Sequence, residues 1–252
     1  VAPSPRYAVG LIIVYVAVVF TIQGTSGIPY DEWFDTAHSA VRTGVIPLGV
    51  GAAIILAFLL WARWDFLWRD PERLPVTPWM WLTLGIGGVA IALQFLGTAW
   101  DEVPTRLVLA IAAVGVLVGF VEEIMFRGIL LRSLRDGRRS EAVAALWTAV
   151  GFGLFHLPNT LLGTGVLGLT QFFTAGVMGF GLYFLRRTRG LILTAMVFHG
   201  CWDSALFFSG NYAEGTLGDI GSLLAGIVYI PVIIGAIVLL LRDRDLVVTP
   251  VS

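Results

Sequence analysis

Leu107-Val-Leu-Ala-Ile-Ala-Ala-Val-Gly-Val-Leu-Val-Gly-Phe-Val-Glu-Glu-Ile-Met-Phe-Arg-Gly-Ile-Leu-Leu131 contains no ionisable side chain except Glu122, Glu123 and Arg127. A helix needs about 20 apolar residues to cross the hydrocarbon of a bilayer, and this run is long enough. Each charge placed there costs roughly 2.5 to 3.5 kcal/mol, so such residues face a protein interior and mark a functional site.

Similar runs recur at about 8–22, 44–61, 79–98, 142–157, 166–185, 190–208 and 220–241. With 107–131 they make eight spans. The runs are continuous, without the ten-residue alternation of a membrane barrel, so the expected fold is all-α, a polytopic bundle of about eight transmembrane helices. Composition agrees: 57% of residues are hydrophobic and 13% charged, with a mean hydropathy of +0.86, outside the range of soluble domains. Residues 1–252 read as one membrane domain, with no linker or repeat to divide them.

A net charge of -1 identifies no partner, and no nucleic-acid partner is expected. The distribution of charge says more. Arg6, Arg63, Arg69, Arg73, Arg132, Arg135, Arg138, Arg139, Arg186, Arg187, Arg189, Arg242 and Arg244 all fall at the chain ends or in even-numbered loops. Only Arg42 and Arg106 fall in odd-numbered loops. Basic residues accumulate on the cytoplasmic side, so both termini are expected there. The absence of Lys fits a GC-rich microbial genome, and the expected location is the cytoplasmic membrane of a prokaryote. The first run has no convincing cleavage site after it and reads as a retained helix.

Trp61, Trp64, Trp68, Trp79, Trp81 and Trp100 sit at the ends of spans, where indole rings anchor at the interface. Pro71, Pro75 and Pro78 break the chain between the second and third spans. Glycines inside spans, at Gly85, Gly87, Gly88, Gly151, Gly153, Gly176, Gly179 and Gly181, allow helices to approach closely. Cys201 reads as a small packing residue and His38 as a solvated loop residue.

Glu123 and Arg127 are four apart with the acid first, the favourable order for an ion pair on one helix face. Glu122 lies about 100 degrees around the helix and is left as the unpaired carboxylate. Two other spans carry buried-type polar residues: His156, four after Phe152, and the pair His199 and Asp203, again four apart. A carboxylate with two imidazoles and a further acid can activate water, orient it or bind a metal, and steady a developing oxyanion. Each has a structural alternative, since Glu123 with Arg127 can be a clamp and an intramembrane His a helix-helix link.

The ordered motifs Glu-Glu-x-x-x-Arg, Phe-x-x-x-His and His-x-x-x-Asp resemble those of the CPBP family of intramembrane proteases, which includes type II CAAX prenyl endopeptidases. The resemblance covers about residues 107–208. It implies hydrolysis of peptide bonds in a cavity facing the cytoplasm, on a membrane-associated, prenylated or peptide substrate. It also implies roles: Glu122 and His156 activating water, His199 and Asp203 stabilising the oxyanion, and Glu123 with Arg127 as the structural pair. Two forms of the site stay open, one metal-free and one holding a divalent metal such as zinc through Glu122, His156, His199 and Asp203. Asp203, where eukaryotic members carry Asn, favours a cation. The expected partners are a peptide or protein substrate and the lipid bilayer.

The competing readings are a non-enzymatic partner-binding or immunity protein on the same fold, and a proton-coupled transporter using the same groups as a relay. Other intramembrane protease classes fit less well. No His-Glu-x-x-His helix is present, and Thr216 replaces the first glycine of a Gly-x-Gly-Asp element ending at Asp219. Gly24-Thr-Ser-Gly27 matches the short rhomboid serine motif only in an outer loop.

Overall fold

The computed structural model describes residues 1–70, 73–163 and 165–248, so Pro71 lies outside the described residues. Among these residues eight helices are long and apolar enough to cross a membrane, and there is no strand. They are α1 (Pro5–Gly24), α2 (Ala37–Ala62), α3 (Pro78–Leu96), α4 (Thr105–Asp136), α5 (Glu141–Leu162), α6 (Gly168–Arg189), α7 (Ile192–Tyr212) and α8 (Gly215–Arg242). Continuous apolar runs dictate this, since in hydrocarbon every backbone polar group must be satisfied within its own helix. The protein is an integral, multi-pass membrane protein.

Glycine sets the packing that positions the site. Helices α4 and α7 meet at Gly115, Gly119 and Gly200, where a Cβ on Gly115 would stand 2.7 Å from the Gly200 carbonyl oxygen. Helices α5 and α6 meet the same way, with a Cβ on Gly153 falling 2.6 Å from the Phe172 carbonyl. Gly85 and Gly88 have nothing within 4 Å and lie outside these seams, contrary to their expected role.

An even number of crossings brings both chain ends to one end of the bundle, and polar contacts define it. The Val1 nitrogen donates to the Ala62 carbonyl at 3.1 Å, and Trp64 Nε1 donates to the Val1 carbonyl. Trp64 is therefore buried and not an interfacial anchor, whereas Trp61, Trp68, Trp81 and Trp100 are exposed. Asp70 accepts from Arg186 at 2.6 and 3.1 Å and from Arg135 at 3.1 Å. Arg135 also donates to both oxygens of Glu141, whose Oε1 accepts the Tyr183 hydroxyl as well. Arg187 pairs with Asp243. Burial pushes the Asp70 carboxyl up, but Arg135, Arg186 and Arg132 together outweigh it and hold it below the usual carboxylate range.

This arginine end explains where α4 and α5 extend. Helix α4 has 32 residues, about 48 Å at 1.5 Å each. That exceeds a hydrocarbon core of about 30 Å. Its last turns carry Arg132 and Arg135 to Asp70 and Glu141, and α5 starts in the same layer with Ser140 capping it.

At the other end lie the 25–36 loop and the short α5–α6, α3–α4 and α7–α8 connections. There Glu214 N–H donates to the Gly97 carbonyl at 2.8 Å and Asn211 donates to Asp35 at 2.9 Å.

Candidate active site

Helix α4 is α-helical through Glu123 and widens into a π-helical segment at Ile124–Leu130. Such widened turns occur at functional sites. Around it Glu122, Glu123 and Arg127 are all buried.

Arg127 Nη1 donates to Glu123 Oε1 at 2.8 Å, and its Nη2 donates to the Gly179 carbonyl of α6 at 3.0 Å. The guanidinium lies over the Phe152 ring, 4.3 Å from its centroid. The same Glu123 oxygen contacts His199 Nδ1 at 2.9 Å. One carboxylate thus ties α4 to α7, while its arginine ties α4 to α5 and α6.

Glu122 takes the other direction. Its Oε2 is 3.9 Å from His199 Nε2, and Asp203 Oδ2 is 3.7 Å from that same nitrogen. Oε2 of Glu122 is buried with no hydrogen-bond partner in the protein. His156 Nδ1 bonds the Phe152 carbonyl at 2.8 Å, so Nδ1 carries the proton in a neutral ring and Nε2 has its lone pair free. The Phe152 ring contacts both imidazoles, with centroid distances of 4.9 Å to His156 and 5.6 Å to His199.

Glu122, His156, His199 and Asp203 all line one cavity of about 250 Å³. Glu123 and Arg127 do not line it and lie behind His199 and Phe152. His38 is exposed at the start of α2 and takes no part.

The cavity also contains residues that no motif singled out. Tyr30, Asn159 and Gln171 form a polar rim, Asn159 Nδ2 donating to Gln171 Oε1 at 2.8 Å and Gln171 Nε2 to the Tyr30 hydroxyl at 3.2 Å. Burial raises the Tyr30 hydroxyl above its ordinary value, partly countered by its bond to Gln171. Polar side chains at the edges of apolar runs were the available signal, but one lies in the 25–36 loop and the others on α5 and α6.

Residues 104–205 match the family model described as Type II CAAX prenyl endopeptidase Rce1-like. That segment is similar to an Rce1-like domain. The match agrees with the family resemblance carried by the ordered motifs. No curated protein and no solved structure gives a match to the chain. The matched segment runs from the start of α4 into α7, so it holds all seven motif residues, while Tyr15, Gln23, Tyr30 and Tyr229 of the cavity wall come from outside it.

A metal requires at least three converging ligands with free donor atoms. Among the described residues no group of three His, Cys, Asp or Glu side chains has that arrangement. His199 bonds Glu123 and His156 bonds a carbonyl through Nδ1, which leaves Nε2 of each ring as its remaining donor atom. As placed, the donors of the matched segment do not converge on one point as a bound metal requires.

The position of the mouth bears on two expectations. The rim residues Tyr30, Trp33, Phe34, Asn159 and Gln171 all belong to the end of the bundle opposite both chain ends. Chain ends and cavity rim thus lie at opposite ends of the bundle, a relation that depends on which half of each helix encloses the space and that the sequence does not reveal.

Proposed function

We propose that the protein is an intramembrane endopeptidase that hydrolyses peptide bonds of a membrane-associated polypeptide, with water activated by Glu122. One observation carries the proposal. An unpartnered, buried Glu122 oxygen faces a cavity that also holds His156, His199 and Asp203, inside a domain matching a protease family.

In the proposed reaction water sits between Glu122 and the free Nε2 of His156. Glu122 takes its proton as the oxygen attacks the scissile carbonyl. His199, protonated, donates from Nε2 to the oxyanion that forms, and Asp203 orients that ring from 3.7 Å. Three carboxylates, Glu122, Glu123 and Asp203, surround the pair of cations Arg127 and His199, so a cationic imidazole suits the local charge. Glu122 then delivers its proton to the departing amine, which restores the carboxylate. The Glu123–Arg127 pair touches no substrate and positions His199.

The test is proteolysis of a quenched-fluorescent peptide library by purified protein, with and without chelator. Glu122→Gln is expected to lower turnover at least 100-fold, the size of a general-base contribution, with the melting temperature retained. Chelator is expected to leave turnover unchanged. Full activity in Glu122→Gln would reject the assignment, and loss on chelation reversed by zinc would reject the metal-free form.

A further inference from the structure

The cavity has a sidedness that the chemistry of the site does not require. Its walls come from the halves of α5, α6 and α7 that point away from the arginine end, and Glu122 lies at its depth. Beyond Glu122 toward the arginine end the space is filled. Ile124, Met125, Phe126, Tyr183 and Phe184 are fully buried there, followed by the Asp70, Arg135 and Arg186 network.

Toward the opposite end the cavity continues into a second recess, and Tyr30, Phe34, Gln171, Leu206 and Phe207 line both spaces. The recess adds the exposed Asp31 and Asp35 and ends at the 25–36 loop. From Gln171 at this rim to Met178 on the deeper wall of α6 is seven residues, about 10 Å along a helix. An extended peptide covers that distance in about three residues.

Thirteen of the chain's 16 basic residues belong to the closed end. Basic residues resist translocation, so the closed end is cytoplasmic and the recess opens on the other face. We infer that polypeptide substrate reaches Glu122 from the non-cytoplasmic face of the membrane, through the recess between the 25–36 loop and the facing ends of α6 and α7. The substrate class is then a membrane-anchored or exported polypeptide with a short unfolded segment on that face, in contrast to a cytoplasmic lipidated tail. The inference rests on the hydrolase reading for what enters; the side on which the cavity opens stands without it.

Reporter cysteines test this without needing catalysis. In a Cys201→Ser background, Asp31→Cys reports the mouth, Asp203→Cys the cavity interior and Asp245→Cys the arginine end. Asp203 is reachable, its side chain being 23% exposed, and Asp245 is 89% exposed. Sealed vesicles of known sidedness are treated with a small membrane-impermeant thiol reagent, and the folded state of each variant is checked by its melting temperature. Asp31→Cys and Asp203→Cys are expected to react from the non-cytoplasmic side, and Asp245→Cys only from the cytoplasmic side. Reaction of Asp203→Cys from the cytoplasmic side alone, reaction of Asp31→Cys from that side, or any mixed orientation overturns the inference. An inactive wild-type protein with the expected labelling would instead remove the hydrolase reading and leave the sidedness intact.

Discussion

Replacing Arg127 by Met tests whether the Glu123–Arg127 pair is a clamp that holds the site. At 2.8 Å, the two charges attract with a gross energy of about 6 kcal/mol at an effective dielectric of 20. The net loss is smaller, because burying the pair was itself costly, and breaking a buried pair from one side typically costs about 3 to 5 kcal/mol. Glu123 keeps its bond to His199 at 2.9 Å, which puts the expected cost at the low end. The Gly179 carbonyl also loses its donor, and Phe152 loses the guanidinium over its ring. A cost of about 3 kcal/mol corresponds to a melting-temperature drop of roughly 6 to 12 °C for a chain of this length. The double variant Glu123→Gln/Arg127→Met removes both charges while leaving Gln Oε1 to accept from His199, and it is expected to lie within about 1.5 kcal/mol of the parent. Fluorescence-monitored thermal unfolding in detergent measures all four corners of the cycle. Additive effects, with the double variant no more stable than Arg127→Met, would refute the clamp.

Other outcomes follow from the packing and the charges. Gly200→Ala would drive its methyl into the Gly115 carbonyl, and it is expected to cost about 1 to 3 kcal/mol and to reduce turnover by shifting His199 from Glu123. Gly88→Ala, facing open space, should leave turnover unchanged and match or slightly raise the melting temperature. Asp70→Asn should lower the melting temperature at pH 7. Because Asp70 is held below its ordinary value, its stabilising charge is fully present above about pH 4 and is lost as pH falls through the lower folded-state value. The gap between parent and variant should therefore close on acidification below about pH 4; a gap that widens there would contradict the network.

The sequence carried the eight crossings because continuous apolar runs are a one-dimensional signal. It also carried the Glu123–Arg127 pair, whose spacing is a property of one helix. The arginine end was not legible. Arg132 and Arg135 marked the end of a span by their charge, yet they continue α4 because Asp70, 65 residues away from Arg135, neutralises them. Trp64 was likewise an interfacial residue by its position alone, whereas in the structure its indole nitrogen is covered by the Val1 carbonyl. The rim residues Tyr30, Asn159 and Gln171 lie on three separate segments, and the direction of the mouth depends on which helix halves diverge. Periodicity within one helix contains no information on that divergence.

The widened turn at Ile124–Leu130 sets the phase of α4. Upstream of it Glu122 must point into the cavity; downstream, Arg132 and Arg135 must point into the carboxylates of the arginine end. A uniform helix fixes the angle between two such residues by their count alone. The extra residue in the turn frees one angle from the other, as a coupling lets two shafts be set independently. Winding this segment as regular helix with all its residues kept would rotate one half by about 100 degrees against the other. Either the carboxylate or the anchor would then lose its partners, so what the segment must keep is its widened winding.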